Sequence, residues 1–141
     1  MAAMGIVALK SLEKHNNHRR SLAQVYEKQL KDVPGISTIK IPWQCERNSR
    51  HLFQIRVTKG NKFPFTNLRD KLINKLYANQ IYPGVHYITN TEYNMYDYGK
   101  QFTKNATKIS NELVSLPLHL NMTRRDVHKV VNVVKEIMLD E

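Results

Sequence analysis

HLFQIRVT, residues 51–58, alternates without a break: Phe53, Ile55 and Val57 fall on one side, Leu52, Gln54 and Arg56 on the other. Successive side chains of an extended strand point to opposite faces, so the stretch predicts a β-strand with one apolar and one mixed face. Such a strand needs a pairing partner and a second layer to cover its apolar side. Just upstream, residues 36–43 alternate Ile36, Thr38 and Lys40 against Ser37, Ile39 and Ile41, which predicts the partner. Ahead of that lies Asp32-Val33-Pro34-Gly35, a turn, because proline cannot extend a helical hydrogen-bond ladder.

Helices supply the covering layer. Residues 2–31 read as one long helix: Ile6, Leu9 and Leu12 begin an apolar stripe, and Leu22, Val25, Tyr26 and Leu30 resume it. The intervening EKHNNHRRS is polar all round, as expected of a helix that bridges two bodies; a surface helix with a loop inserted at residues 15–17 is the alternative. Downstream, GNKFPF is a loop and Thr66 an N-cap. The helix it opens carries Leu68, Leu72, Ile73 and Leu76 on one side and ends at Asn79-Gln80. Residues 81–88 then read as a short strand, with Pro83 arguing for a sheet edge. NATKISNE is a helical turn, LVSLPLHL is strand-like and stopped by Pro117, and Thr123 with Asp126 resembles a capping box. The final helix stripes Val127, Val130, Val131, Val134 and Met138 along one face. The predicted order is helix, strand, strand, helix, strand, strand, helix. It implies an α+β fold, a small, mostly antiparallel sheet with helices packed on one face.

PGVHYITNTEYNMYDY, residues 83–98, fits neither a core strand nor an ordinary loop. Tyrosine and histidine offer flat faces for stacking and polar tips for hydrogen bonding. The set suits a sugar or a nucleotide base, orienting a ligand rather than breaking bonds, and Asn90 adds an amide. An aromatic edge that fills the gap between sheet and helix accounts for the composition equally well. On a regular strand His86 and Tyr87 would face opposite ways, so both reach one ligand only where the strand ends or meets an interface.

A self-contained enzyme should show an activated nucleophile, an acid–base pair, a metal cluster or a phosphate cradle. The five glycines form no phosphate loop, and His15 and His18, three apart on the first helix, have no acidic or cysteine partner to complete a ligand set. The single cysteine, Cys45, reads as a packing residue, forms no internal disulfide and suits a reducing compartment. With no apolar span, no membrane is expected, and with no signal peptide at MAAMGIVALK the expected compartment is the cytoplasm. Lys and Arg outnumber Asp and Glu 22 to 12, a net charge of +10 that attracts polyanions, including diphosphate-bearing small molecules. The charges are scattered rather than massed, which favours a generally basic surface over a nucleic-acid stripe.

Taken together, AAMGIVALKSLEKHNNHRRSLAQVYEKQL, SRHLFQIRV, LRDKLINKLYANQIYPGVHYI and LVSLPLHLNMTRRDVHKVV resemble, in order and spacing, the C-terminal part of the DegT/DnrJ/EryC1/StrS family. Its members are pyridoxal-phosphate-dependent aminotransferases acting mostly on nucleotide-linked keto-sugars, with a minority of sugar dehydratases. The resemblance implies the small domain of a fold-type-I aminotransferase. Residues 1–32 would be the interdomain helix and residues 33–141 the small domain. The large domain with its cofactor, Schiff-base lysine and pairing aspartate would lie outside this chain, leaving the isolated chain without cofactor and inactive.

In the intact enzyme an amino donor, commonly glutamate, would load the cofactor, which then aminates a ketone on the sugar. This chain would supply one wall of the cleft and part of the contact with the large domain and with a second subunit of a homodimer. The family often has a His-Tyr pair that reaches the nucleotide-sugar, and His86 and Tyr87 match it. Where many members then carry a proline and a second histidine, this chain has Thr89 and Thr91, so Asn90 and Tyr93 become candidate substitutes for those contacts. His51, in SRHLF, matches a family motif with either a structural or a ligand role. Two other classes remain at this point: a stand-alone basic module for nucleic acid, and an interaction domain that docks through Ile6, Leu9 and Leu12.

Overall fold

The computed structural model describes residues 2–39, 48–59 and 68–140. The end of the first predicted strand, Cys45, the 60–65 loop and the Thr66 cap lie outside the described residues. Helix α1 (Ala2–Leu30) leads into strands β1 (Ile36–Thr38) and β2 (Phe53–Val57), and helix α2 (Leu68–Ala78) follows. A 3-10 turn (Asn90–Glu92) and a 3-10 helix (Asn94–Phe102) precede α3 (Lys104–Glu112), β3 (Leu113–Leu116) and α4 (Arg124–Asp140). The strands form one antiparallel sheet in the order β1-β2-β3.

The alternation in 51–58 is borne out residue by residue. Phe53, Ile55 and Val57 are buried, Gln54 and Arg56 half-buried. Ile55 pairs with Val114 and Phe53 with Leu116, which gives the sheet one apolar face. α1, α2 and α4 cover it with Leu22, Tyr26, Leu30, Leu68, Leu72, Leu76 and the Val127–Met138 stripe. This is the expected α+β arrangement, helices on one face of a small antiparallel sheet. Tyr26 is its keystone. Its ring stacks on Phe53 at 4.7 Å, and its hydroxyl donates to the Pro117 carbonyl at 2.9 Å. Burial, and then the Asp126 carboxylate, push that hydroxyl far above the ordinary tyrosine pKa, so it keeps its proton and stays a donor.

α1 is continuous, with no loop at residues 15–17. Its C-terminal half belongs to the core, while Met4, Ile6, Val7, Leu9 and Leu12 in the first half are exposed. The polar middle is tied down locally. Arg19 and Arg20 donate to the carbonyls of Ser49 and Asn48, Arg20 also pairs with Glu13, and His18 donates to the Met122 carbonyl at 2.9 Å. α1 ends at the expected turn, where Gly35 adopts φ +77° and its carbonyl accepts from Thr58 N at 2.8 Å. α2 ends in a Schellman motif: Gln80 is left-handed, its N–H reaches the Tyr77 carbonyl, and the Ile81 N–H reaches that of Leu76.

Two expectations need correction. Residues 81–88 form no strand; the segment touches the sheet in a single antiparallel bridge, Gly84 to Ser115, at the open edge of β3. Pro83 comes just before that bridge and has no amide hydrogen to continue a ladder, so its edge placement was foreseen but the strand was not. The helical turn expected at NATKISNE is a full helix, α3, running directly into β3. Among the described residues no helix is long and apolar enough to cross a membrane.

The capping box at α4 is present with Asp in the place of Glu. Asp126 Oδ2 accepts from Thr123 N and from Thr123 Oγ1, both at 2.7 Å, and Asp126 N donates back to Thr123 Oγ1 at 3.3 Å. The backbone N–H of Thr123, and then its hydroxyl, hold the Asp126 carboxyl below its ordinary pKa. A depressed folded-state pKa stabilises the protein above the unfolded value of about 3.9, and that stabilisation is lost as pH falls through the folded value. Asp126→Asn should therefore be less stable than the parent near neutral pH, and the gap should close in strong acid. Denaturant titrations at the two pH values check this; a gap that persists undiminished in acid would contradict it.

Candidate functional site

The face of the sheet opposite α1, α2 and α4 carries Gln54, Arg56 and Ser115 beside the buried Leu113, and the chain after α2 lies against it. Gln54 and Ser115 are cross-strand partners there. Ser115 exchanges both backbone hydrogen bonds with Gly84, N to O at 2.7 Å and O to N at 2.9 Å, which draws the 83–87 segment against the edge of β3. Side chains then take over. Gln54 Nε2 donates to the His86 carbonyl at 2.7 Å, and the His86 ring folds back so that Nδ1 lies 2.8 Å from Ser115 Oγ. Ser110, from α3, donates its hydroxyl to the Tyr87 carbonyl at 3.0 Å. On the same face Arg56 forms an ion pair with Glu112, which is only 5% exposed, and pins the end of α3.

Gly84 is what lets the histidine ring fold back. A Cβ built there would stand 2.5 Å from His86 Cε1 and 3.1 Å from Nδ1. The His86–Tyr87 peptide is cis. The two rings stand edge to face, 5.0 Å apart at 89°. Their backbones are anchored, yet Tyr87 is 74% exposed. The Tyr87 ring thus stands in the open while the main chain on either side of it is fixed at the His86 and Tyr87 carbonyls.

The four predicted residues divide into two pairs. His86 and Tyr87 come together. Asn90 and Tyr93 lie on and just after the 3-10 turn, both exposed, and have no hydrogen bond to the His-Tyr pair among the described residues. Thr91, at the second departure from the family pattern, is buried and shares a 2.7 Å hydrogen bond with Thr103 Oγ1. Its hydroxyl is turned into the protein. Thr89 Oγ1 is buried and has no hydrogen-bond partner among the described residues. His51 is exposed just ahead of β2. The following 3-10 helix buries no residue and exposes Met95, Tyr96, Tyr98 and Phe102. This is an apolar surface of the kind that marks an interaction site. A separate open cleft of about 490 Å³, between Ile81, Pro117 and α4, includes none of the four.

Sequence reasoning missed Gln54, Gly84, Ser110 and Ser115. Ser115 carried a faint signal, the one polar residue inside the apolar run LVSLPL. A strand with both faces buried has little use for a serine unless its hydroxyl is bonded.

The sequence pattern of the DegT/DnrJ/EryC1/StrS aminotransferase family matches residues 1–135. The chain belongs to that family. It is 30% identical over 139 residues to the UDP-4-amino-4,6-dideoxy-N-acetyl-beta-L-altrosamine transaminase of Campylobacter jejuni, covering 96% of this chain and 35% of that protein. Among solved structures, S. venezuelae DesV, in complex with a ketimine intermediate, superposes with a TM-score of 0.81 at 25% identity, over 97% of this chain and 35% of that one. The aminotransferase TlmJ from Streptoalloteichus hindustanus shares the fold, with a TM-score of 0.83 at 22% identity over 99% of this chain and 36% of its own. The chain thus spans about a third of the length of the relatives it matches.

Pyridoxal phosphate, the family's cofactor, needs a sheltered amine, a carboxylate for its ring nitrogen and a phosphate cradle. The residues described do not fit it. Every described lysine is exposed or half-buried. The polar groups that hold the His-Tyr pair are two hydroxyls and an amide, with neither an amine nor a carboxylate among them. Also among the described residues, no three His, Cys, Asp or Glu side chains cluster to hold a metal.

Gly84→Ala tests the geometry directly. The added methyl should swing the His86 ring off Ser115 while leaving the sheet paired. Stranding the buried serine hydroxyl should cost about 1–3 kcal/mol. Thermal denaturation and the His86 ring resonances read both effects; an unmoved ring at full stability would show that the fold-back does not depend on Gly84.

Proposed function

We propose that this chain is the small domain of a pyridoxal-phosphate-dependent aminotransferase that aminates the keto group of a nucleotide-linked sugar. In this reading residues 33–141 form the small domain and residues 1–32 lead toward the cofactor-bearing large domain. The observation that carries the reading is the His86–Tyr87 pair, anchored at three points and presented outward, in a chain that belongs to an aminotransferase family. The printed activity of the Campylobacter relative, a transaminase of a UDP-linked amino sugar, supports the ligand class.

The chain's own residues position rather than transform. Tyr87 supplies a flat face for a sugar or base and a hydroxyl at its tip, and His86 supplies a ring nitrogen. Asn90 and Tyr93 extend the same wall farther along the segment. The basic surface suits a diphosphate. In this reading cofactor anchoring and the amino-transfer steps belong to the large domain. Two exposed apolar surfaces, the first half of α1 and the 95–102 aromatic stretch, are the areas that the large domain and the second subunit of a homodimer would cover. A single cysteine suits a reducing compartment, and the reading puts the work in the cytoplasm.

Two measurements test this. Incubated with pyridoxal phosphate and then borohydride, the 141-residue chain should retain no stoichiometric, site-specific adduct. One specific lysine fully modified would overturn the division of labour. Second, this segment can replace the matching third of the Campylobacter transaminase, with activity assayed on that enzyme's UDP-amino-sugar. His86→Ala and Tyr87→Ala in the chimera should each lower kcat/KM by about 10-fold or more, the scale of one lost hydrogen bond or stacking contact to a ligand. An active chimera indifferent to both changes would sink the assignment.

A further inference from the structure

Ser115 is 4% exposed, and among the described residues its hydroxyl has a single hydrogen-bonding neighbour, His86 Nδ1. A hydroxyl brings one hydrogen, and a neutral imidazole brings one N–H and one lone pair. Two arrangements fit the 2.8 Å separation. If Nδ1–H donates to Oγ, the serine hydrogen is left buried with no acceptor. If the hydroxyl donates to Nδ1, both groups are satisfied and the imidazole proton sits on Nε2. Stranding a buried polar hydrogen is costly, so the second arrangement wins. Among the described residues no main-chain carbonyl is within hydrogen-bonding geometry of the Ser115 hydroxyl, which leaves His86 Nδ1 as its acceptor.

The remaining contacts fix where that proton points. Gln54 holds the His86 carbonyl, and the missing Cβ of Gly84 leaves room for the ring. Nε2 has no hydrogen-bond partner among the described residues, and it is not among the buried unpartnered atoms, so it is open to a ligand.

We infer that Ser115 is a positioning residue that holds His86 as the neutral Nε2–H tautomer, so that the site offers its ligand a hydrogen-bond donor. Its match is an acceptor oxygen, whether of a sugar hydroxyl, a carbonyl or a phosphoryl group. The ligand half of this inference rests on the nucleotide-sugar reading; the tautomer half does not.

The experiment separates the two halves. The chain, labelled with nitrogen-15 at histidine, is examined without ligand by long-range proton–nitrogen correlation, His86 being assigned by the loss of its signals in His86→Gln. The wild-type ring should show a protonated Nε2 and a hydrogen-bonded acceptor at Nδ1. In Ser115→Ala the Nδ1 signal should shift toward a free acceptor while the other five histidines stay in place. A protonated Nδ1 in the wild type overturns the inference whether or not the alanine variant folds, and so does an unmoved Nδ1 in a folded Ser115→Ala. In the chimera, Ser115→Ala should lower kcat/KM by less than His86→Ala does, and the double variant should lose no more than His86→Ala alone. Additive losses would show that Ser115 acts independently of the histidine. The expected spectra with a kinetically silent His86→Ala would leave the tautomer standing and remove the nucleotide-sugar reading.

Discussion

The antiparallel register of β2 on β3 is the constraint from which both the core and the site follow. Pairing Ile55 with Val114 and Phe53 with Leu116 puts four apolar side chains on the face that α1, α2 and α4 cover. The same register makes Gln54 and Ser115 partners on the other face. Side chains alternate with a period of two, so a slip of one residue would turn the apolar set outward and the polar pair into the core. The fold cannot lose this register without exposing its core, and the site inherits that rigidity. Gln54 and Ser115 are held in place by the hydrophobic effect acting on their neighbours, and they in turn hold His86.

Features that depend on near neighbours in sequence were legible. The alternation of 51–58, the Val127–Met138 stripe, the turn at Gly35 and the Thr123–Asp126 cap are local patterns, and each appears where its residues place it. The family pattern pointed to His86 and Tyr87, and the structure brings those two rings together. What failed was of another kind. Residues 81–88 carry enough β-branched and aromatic residues to read as a strand, but a strand needs a ladder. The edge of β3 offers this segment a single bridge, because beyond it the His86 ring and carbonyl are committed to Ser115 and Gln54. Ser115 lies 29 positions from His86 and Gln54 lies 32 away. No periodicity joins residues that far apart, so the groups that hold the His-Tyr pair were invisible in the sequence although the pair itself was not.

The long first helix shows the same limit from the other side. Its two apolar ends looked alike in sequence, yet only the second is buried: Leu22, Tyr26 and Leu30 are core, while Ile6, Leu9 and Leu12 stay exposed. The proposed interdomain role of the helix would account for this asymmetry. The polar waist does not float between them, since its arginines and His18 are bonded to backbone carbonyls at residues 48, 49 and 122. The polar middle of the helix is therefore held against the rest of the fold rather than left free in solvent.

The backbone's anchoring to the sheet and α3 reaches as far as Tyr87. Gly84 is tied to β3, the His86 carbonyl to β2 and the Tyr87 carbonyl to α3. From residue 93 to 102 every side chain but Gly99 is exposed. Thr91 sits between these regimes. At the position where many family members carry a second histidine, it turns inward, bonds Thr103 and packs its methyl close to Gly99. The position that could have added a ligand contact serves here as a hinge-pin for the 3-10 helix. In the proposed reading, this chain's share of ligand selection falls to the anchored His-Tyr pair together with side chains of the exposed stretch beyond it. That division lets the exposed stretch change residue by residue while the anchored pair, held by the sheet, keeps its geometry.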